Sequence, residues 1–159
     1  VGLTRAAGVA QLLVVLAAVL IIQPVLATVM GRSPRLTTAT VAVIAGLLWM
    51  LALCAGDAIS AAVGAYPRAI TLVLLPGFLG AGLLQLVTGV LHHLLPILTG
   101  ARPNAAGRTG YARLLLINLG GLLTLLGATV AGLIMMGIGL ATNVIAVGRA
   151  IYLQKRLES

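Results

Sequence analysis

Long apolar runs fill most of this 159-residue chain, and each is long enough to cross a lipid bilayer as a helix. A membrane-spanning helix needs roughly 17–25 predominantly apolar residues. Short segments rich in glycine, proline and arginine separate the runs, such as residues 31–35 and 100–110. We therefore predict an all-α polytopic membrane helix bundle, with residues 1–159 forming a single transmembrane domain.

Composition supports the same fold class. Only 8% of the residues are charged and 61% are hydrophobic, with a mean hydropathy of +1.20. Soluble domains carry about 25% charged residues, so this chain has too few to cover a surface in water. The net charge of +8 does not indicate a nucleic-acid partner, because the basic residues lie scattered between the apolar runs and aromatic residues make up only 3%. We expect the lipid bilayer and other transmembrane helices as partners, and no nucleic acid.

The apolar runs predict five transmembrane spans, at residues 9–30, 36–55 and 70–98 and two within 111–153. Pro24 is expected to kink the first span. The last stretch is too long for one ordinary helix, and we divide it near Gly127 into a fourth and a fifth span. An undivided last stretch gives the alternative of four helices.

The positive charges favour five spans over four. With five spans, one side of the membrane receives eight basic residues and the other side receives two, whereas with four spans the counts become five and five. Basic residues collect on the cytoplasmic side, so the uneven distribution is the expected one. The eight are Arg32, Arg35, Arg102, Arg108, Arg113, Arg149, Lys155 and Arg156, and the two are Arg5 and Arg68. We predict a multi-pass protein of the cell membrane with the N-terminus outside and the C-terminus in the cytoplasm.

The first residue is valine rather than methionine. This predicts either an alternative start codon or a chain that is part of a longer protein. An outside N-terminus favours the second interpretation, because earlier helices would then precede the first span.

Polar side chains follow one face of the third span. Residues three, four and seven apart share a helix face, which puts on one stripe Gly82, Gln85, Gly89 and His92, with Thr88 beside it. His93 points about 100° away from this stripe. Polar groups at membrane depth usually face the bundle interior or water. Asn118, in the fourth span, is therefore the expected hydrogen-bond partner of Gln85.

His92 and His93 are the only histidines, and they lie near the arginine-rich end of the third span. Three interpretations stay open: interfacial side chains that reach the headgroups, cofactor-binding ligands of haem or copper, and a proton relay. Imidazole is a common ligand of both metals, but a complete site needs a further donor from another span or another chain. Met135 and Met136 are candidate Cu(I) ligands through their thioethers, with packing of an apolar core as the alternative.

No catalytic residue is identified from the sequence. Asp57 and Glu158 are the only acidic residues, which excludes paired-carboxylate chemistry, and no glycine loop typical of a phosphate site is present. A proton-coupled transporter usually needs a membrane-buried carboxylate. The predicted connection over residues 56–68 places Asp57 at a helix end, so this class of protein is not favoured.

Residues 78–120 carry a more specific pattern, "FLGAGLLQLVTGVLHHLLPILTGARP" followed after a short loop by "RLLLINLG". It resembles the later transmembrane half of the module fused ahead of multicopper oxidase domains in actinobacterial copper oxidases and copper-type nitrite reductases. That module is distantly similar to the NnrS membrane haem–copper proteins and to the oxidase subunit I fold. The shared positions are Phe78, Gln85, Gly89, Pro96, Gly100, Pro103, Arg113, Asn118 and Gly120.

The resemblance implies an integral membrane module of a copper- or nitrogen-oxide-linked redox protein. Its main role would be anchoring of a redox domain, with a haem or copper contact through the third span, and it would not be an enzyme on its own. Where the family tends to have a serine–tyrosine pair, this chain has His92 and His93, so the resemblance does not identify them as family ligands. The alternatives are a small-solute permease subunit, with Gln85 and His92 facing a wet pore, and a purely structural membrane partner.

Overall fold

Helices account for nearly all of the residues that the computed structural model describes, which are 2–32, 37–64, 67–99 and 108–157. The α-helical segments are α1 Gly2–Arg32, α2 Thr38–Ala62, α3 Pro67–Gly77, α4 Gln85–Thr99, α5 Arg108–Leu125 and α6 Thr129–Leu157. A π-helical segment, Phe78–Leu84, joins α3 to α4, so these three form one continuous third span. Across the described ranges the predicted all-α class and the count of five helices are confirmed.

Four of the helices are long and apolar enough to cross a membrane, over Gly2–Pro24, Thr38–Ala62, Ile70–Leu94 and Thr129–Arg149. The fourth helix, α5, is shorter, with 18 residues. At 1.5 Å per residue it is about 27 Å long, close to the hydrocarbon thickness of about 30 Å. That α5 also crosses the membrane stays a prediction.

The second helix is longer than the sequence indicates, and the predicted connection over residues 56–68 begins too early. Helix α2 continues to Ala62, seven residues beyond the predicted end at position 55. A polar side chain near this end forms its hydrogen bond within the continuous helix, since the Ser60 hydroxyl donates to the Gly56 carbonyl oxygen at 2.7 Å. The helix ends where Gly64 adopts a φ of +79°, a conformation that glycine takes up readily.

The division of the last apolar stretch near Gly127 is confirmed. Helix α5 ends at Leu125, and Gly127 turns the chain with a φ of +88° before α6 begins at Thr129. The two helices then pack closely, because a Cβ atom added at Gly120 would lie 2.6 Å from the Gly132 carbonyl oxygen. Only small residues allow membrane helices to approach so closely. Because the turn between them is short, α5 and α6 form an antiparallel hairpin.

Successive spans run in opposite directions. Gly8 packs against Ala58 and Ala61, Gly46 packs against Gly82, and Gly121 packs against Ala81. One end of the bundle, called the basic end below, therefore collects the last residues of α1, α4 and α6 and the first residues of α2 and α5.

The basic end collects most of the positively charged positions within the described helices. Arg113 ties α5 to α6 there, because its Nη1 donates to the Thr142 carbonyl oxygen at 3.3 Å. Arg35 and Arg102 lie outside the described residues. Which end faces the cytoplasm stays a prediction.

Candidate functional site

The third span changes its helical geometry at its middle. Pro76 has no backbone N–H to donate, and the seven residues Phe78–Leu84 after Gly77 form π-helix, with glycines at positions 80 and 82. At the end of this segment a backbone N–H donates to the Gly82 carbonyl oxygen. Short π-helical stretches are frequent at functional sites, and this one leads directly into the predicted polar stripe.

Gln85 lies in the bundle interior, with none of its surface exposed. Neither its Oε1 nor its Nε2 atom has a hydrogen-bond partner among the described residues. The glycines one turn to either side, Gly82 and Gly89, are also buried, and both pack against α2. The predicted hydrogen bond between Gln85 and Asn118 is absent.

Asn118 instead joins α5 to α2. Its Oδ1 atom accepts from Trp49 Nε1 at 2.6 Å, and its Nδ2 atom donates to the Leu114 carbonyl oxygen at 2.7 Å. Sequence reasoning missed Trp49, although it is the only tryptophan and lies in an apolar run. A buried indole N–H usually finds an acceptor, and that rule alone could have identified Trp49 as a partner for a polar residue.

The other members of the stripe bond within their own helix. The Thr88 hydroxyl donates to the Gln85 carbonyl oxygen at 3.0 Å. His92 Nδ1 lies 2.9 Å from the Thr88 carbonyl oxygen, and because a carbonyl only accepts, Nδ1 is the donor of this bond and Nε2 is not engaged by it. His92 is half-buried, whereas His93 is exposed.

The candidate metal ligands lie on two helices, with the histidines on α4 and the methionines on α6. Within the described ranges, no three His, Cys, Asp or Glu side chains come together as a metal site. Met136 is buried in the apolar core with Ala81 and Ile117, and its Sδ lies 2.7 Å from where a Gly80 Cβ would be. Met135 is only half-buried on the same helix. The described part of the chain therefore holds no such three-residue cluster, and a haem or copper contact through His92 or His93 stays a prediction.

A second polar cluster lies toward the other end of the bundle, around Asp57. The Thr71 hydroxyl donates to Asp57 Oδ1 at 2.6 Å, and Gln11 Nε2 lies 3.4 Å from Asp57 Oδ2 and 3.5 Å from the Cys54 carbonyl oxygen. The cluster thus joins α1, α2 and α3. The placement of Asp57 at a helix end was wrong, because α2 extends five residues further and lies within a candidate membrane span as far as Ala62.

Comparison of the chain with known protein families, with curated proteins and with solved structures gave no match. The resemblance of residues 78–120 to the copper oxidase membrane module therefore stays a prediction from the residues.

Proposed function

We propose that this chain is an integral membrane module whose main role is anchoring, as part of a copper- or nitrogen-oxide-linked redox protein. The observation that supports anchoring is the packing of the interior, where helices meet backbone to backbone. A Cβ atom added at Gly46 would lie 2.9 Å from the Gly82 carbonyl oxygen, just as one at Gly120 would nearly touch Gly132. Contacts this close suit a module that holds its helices in a fixed arrangement.

The outer faces of the helices suit the same role. Large apolar side chains are exposed on every span, for example Leu13 on α1, Leu48 on α2, Leu72 on α3, Leu115 on α5 and Ile134 on α6. In water such a surface would aggregate, whereas in a bilayer it contacts lipid tails. The module is therefore held in the membrane over its whole circumference.

The link to copper or nitrogen oxides comes from the sequence resemblance alone. In this proposal any haem or copper contact is peripheral, at the basic end of the third span. His92 would offer Nε2, because its Nδ1 is bonded to the Thr88 carbonyl oxygen, and His93 would offer an exposed imidazole. The remaining donors would come from another domain or another chain.

Visible absorption spectra and metal analysis test the anchoring role. The protein would be purified in lipid nanodiscs as wild type, His92→Ala and His93→Ala. We expect no Soret band and far less than one copper per chain in all three samples. A Soret band, or one copper per chain, that is lost in His92→Ala would contradict a mainly anchoring role.

The gene around this chain tests the redox link. The proposal expects the same reading frame, or its immediate neighbour, to encode further membrane helices or a cupredoxin domain. A gene that encodes neither, with no cupredoxin gene beside it, would contradict the link and leave a purely structural membrane partner.

One observation favours the alternative of a small-solute permease subunit, namely the Asp57 carboxylate within a candidate membrane span. Ionisable groups at membrane depth often mark solute or proton pathways. Swelling of proteoliposomes in small neutral solutes, and proton entry reported by an internal dye, would be compared for wild type and Asp57→Asn. Flux above that of empty liposomes, reduced by Asp57→Asn, would support the permease, and flux equal to empty liposomes would exclude it.

A further inference from the structure

The Gln85 amide is fully buried inside the bundle. Its two polar atoms have no partner in the described part of the chain, although the side chain has no exposed surface. Leaving a buried amide unpaired is costly, and such a group in a native protein indicates a strained element or an unseen water or ion. Gln85 also lies well inside the candidate span Ile70–Leu94, and because it has no exposed surface, bulk water does not contact it.

The polar side chains of the adjoining segments are already engaged. Trp49 donates to Asn118, and the Thr124 hydroxyl donates to the Gly121 carbonyl oxygen at 2.6 Å. The Thr88 hydroxyl bonds the main chain of Gln85 itself. A partner for the Gln85 amide is therefore not supplied by these side chains.

The main chain beside Gln85 offers one further polar atom. In a regular α-helix the Gln85 N–H would donate to the carbonyl oxygen of Ala81, four residues earlier. Here the π-helical segment runs up to Leu84, and its bonds reach five residues back rather than four, which directs the Gln85 N–H past Ala81. The Ala81 carbonyl thus loses its regular donor, and Ala81 has none of its surface exposed.

We propose that one ordered water molecule lies between the Gln85 amide and the Ala81 carbonyl oxygen, making this point an internal hydration site at membrane depth. The amide supplies a donor and an acceptor, and the carbonyl supplies a second acceptor. Buried waters typically make two to four hydrogen bonds to otherwise unsatisfied groups, and these three atoms meet that requirement. The groups are neutral, so the occupant is a neutral molecule that both donates and accepts.

Water-edited solid-state NMR on the wild-type protein in bilayers tests the site directly. The sample would carry ¹⁵N in glutamine and tryptophan, and the Gln85 signal would be assigned by its loss in Gln85→Met. We expect the Gln85 side-chain amide to receive magnetisation from water several-fold faster than Trp49 Nε1, which is bonded to Asn118. A Gln85 signal that builds up as slowly as that of Trp49 would overturn the proposal.

Thermal unfolding gives an independent test, because the presence and the absence of the water predict opposite changes in the unfolding temperature of the same variant. If the amide is bonded to a water, Gln85→Leu removes those bonds and lowers the unfolding temperature by a few degrees. If the amide has no hydrogen-bond partner, the same substitution removes an unpaired polar group and raises the unfolding temperature. That result would overturn the proposal. Gln85→Met serves as the second apolar variant, with the same expected sign.

Discussion

Two helix pairs in this bundle pack through the same kind of glycine contact, but their buried polar side chains differ in whether they have a hydrogen-bond partner. The α5–α6 hairpin closes where Gly120 meets Gly132, and α2 meets the third span where Gly46 meets Gly82. In the hairpin, Thr124 and Thr142 donate to carbonyl oxygens of their own helices. At the contact between α2 and the third span, Gln85 is just as buried as Thr124 but has no hydrogen-bond partner in the described residues.

The difference follows from the length of the side chain. A threonine hydroxyl is near enough to its own backbone to reach a carbonyl oxygen of the preceding turn, so it is satisfied wherever the helix packs. A glutamine amide extends away from its helix and depends on what the neighbouring element offers. Asn118 shows both behaviours, bonding Leu114 on its own helix and Trp49 on α2. Glycine packing thus accommodates a threonine that bonds its own helix, whereas a glutamine at the same depth needs a further hydrogen-bond partner.

The largest effect on stability is expected from placing a large side chain in the contact between α5 and α6. In Gly132→Leu the new side chain would meet the Gly120 carbonyl oxygen and Thr124, each within 2.6 Å of the Cβ position. We expect a loss of at least about 3 kcal/mol in unfolding free energy, at the upper end of overpacking costs. Unfolding in increasing detergent denaturant, followed by circular dichroism, measures it.

Gly137→Leu is the matched control on the same helix, because a Cβ atom there has no neighbour within 4 Å. It should unfold as the wild type does. Equal losses of unfolding free energy in both variants would show that the contact between Gly120 and Gly132 does not stabilise the hairpin.

An intermediate effect is expected from removing the hydrogen bond between α2 and α5. Trp49→Phe keeps an aromatic ring but leaves Asn118 Oδ1 without its donor. We expect a loss of about 1–2 kcal/mol in the same detergent titration. Combining it with Asn118→Leu should recover part of the loss, and additive losses in the double variant would argue against a direct bond.

The smallest effect is expected from the hairpin's own polar group. Thr124→Val removes a hydroxyl that bonds only within α5. The acceptor of that bond, the Gly121 carbonyl oxygen, remains part of the helix. We expect a loss of about 0.6 kcal/mol or less. A loss as large as that of Trp49→Phe would contradict the distinction drawn between short and long polar side chains.

The helix class and the division at Gly127 could be predicted because they depend on local properties, namely long apolar runs and a glycine that permits a positive φ. The end of α2 was missed because Gly56 and Asp57 look like a connection in sequence, and only the donors from α1 and α3 show why the helix continues. The pairing of Asn118 was missed for a similar reason. An ideal helix places Gln85 on the right face, but the π-helical segment and the position of Trp49 on another span decide which polar groups meet.

Five spans, with the α5–α6 turn on the opposite side of the membrane from the C-terminus, are central to this account. Maleimide labelling tests them most directly, with Leu126→Cys at the exposed turn and Tyr152→Cys near the end of α6, each with Cys54→Ala to remove the native thiol. A membrane-impermeant maleimide added to intact cells should label Leu126→Cys and should label Tyr152→Cys only after lysis. A Leu126→Cys thiol that reacts only after the membrane is dissolved would place the turn in lipid and contradict five spans.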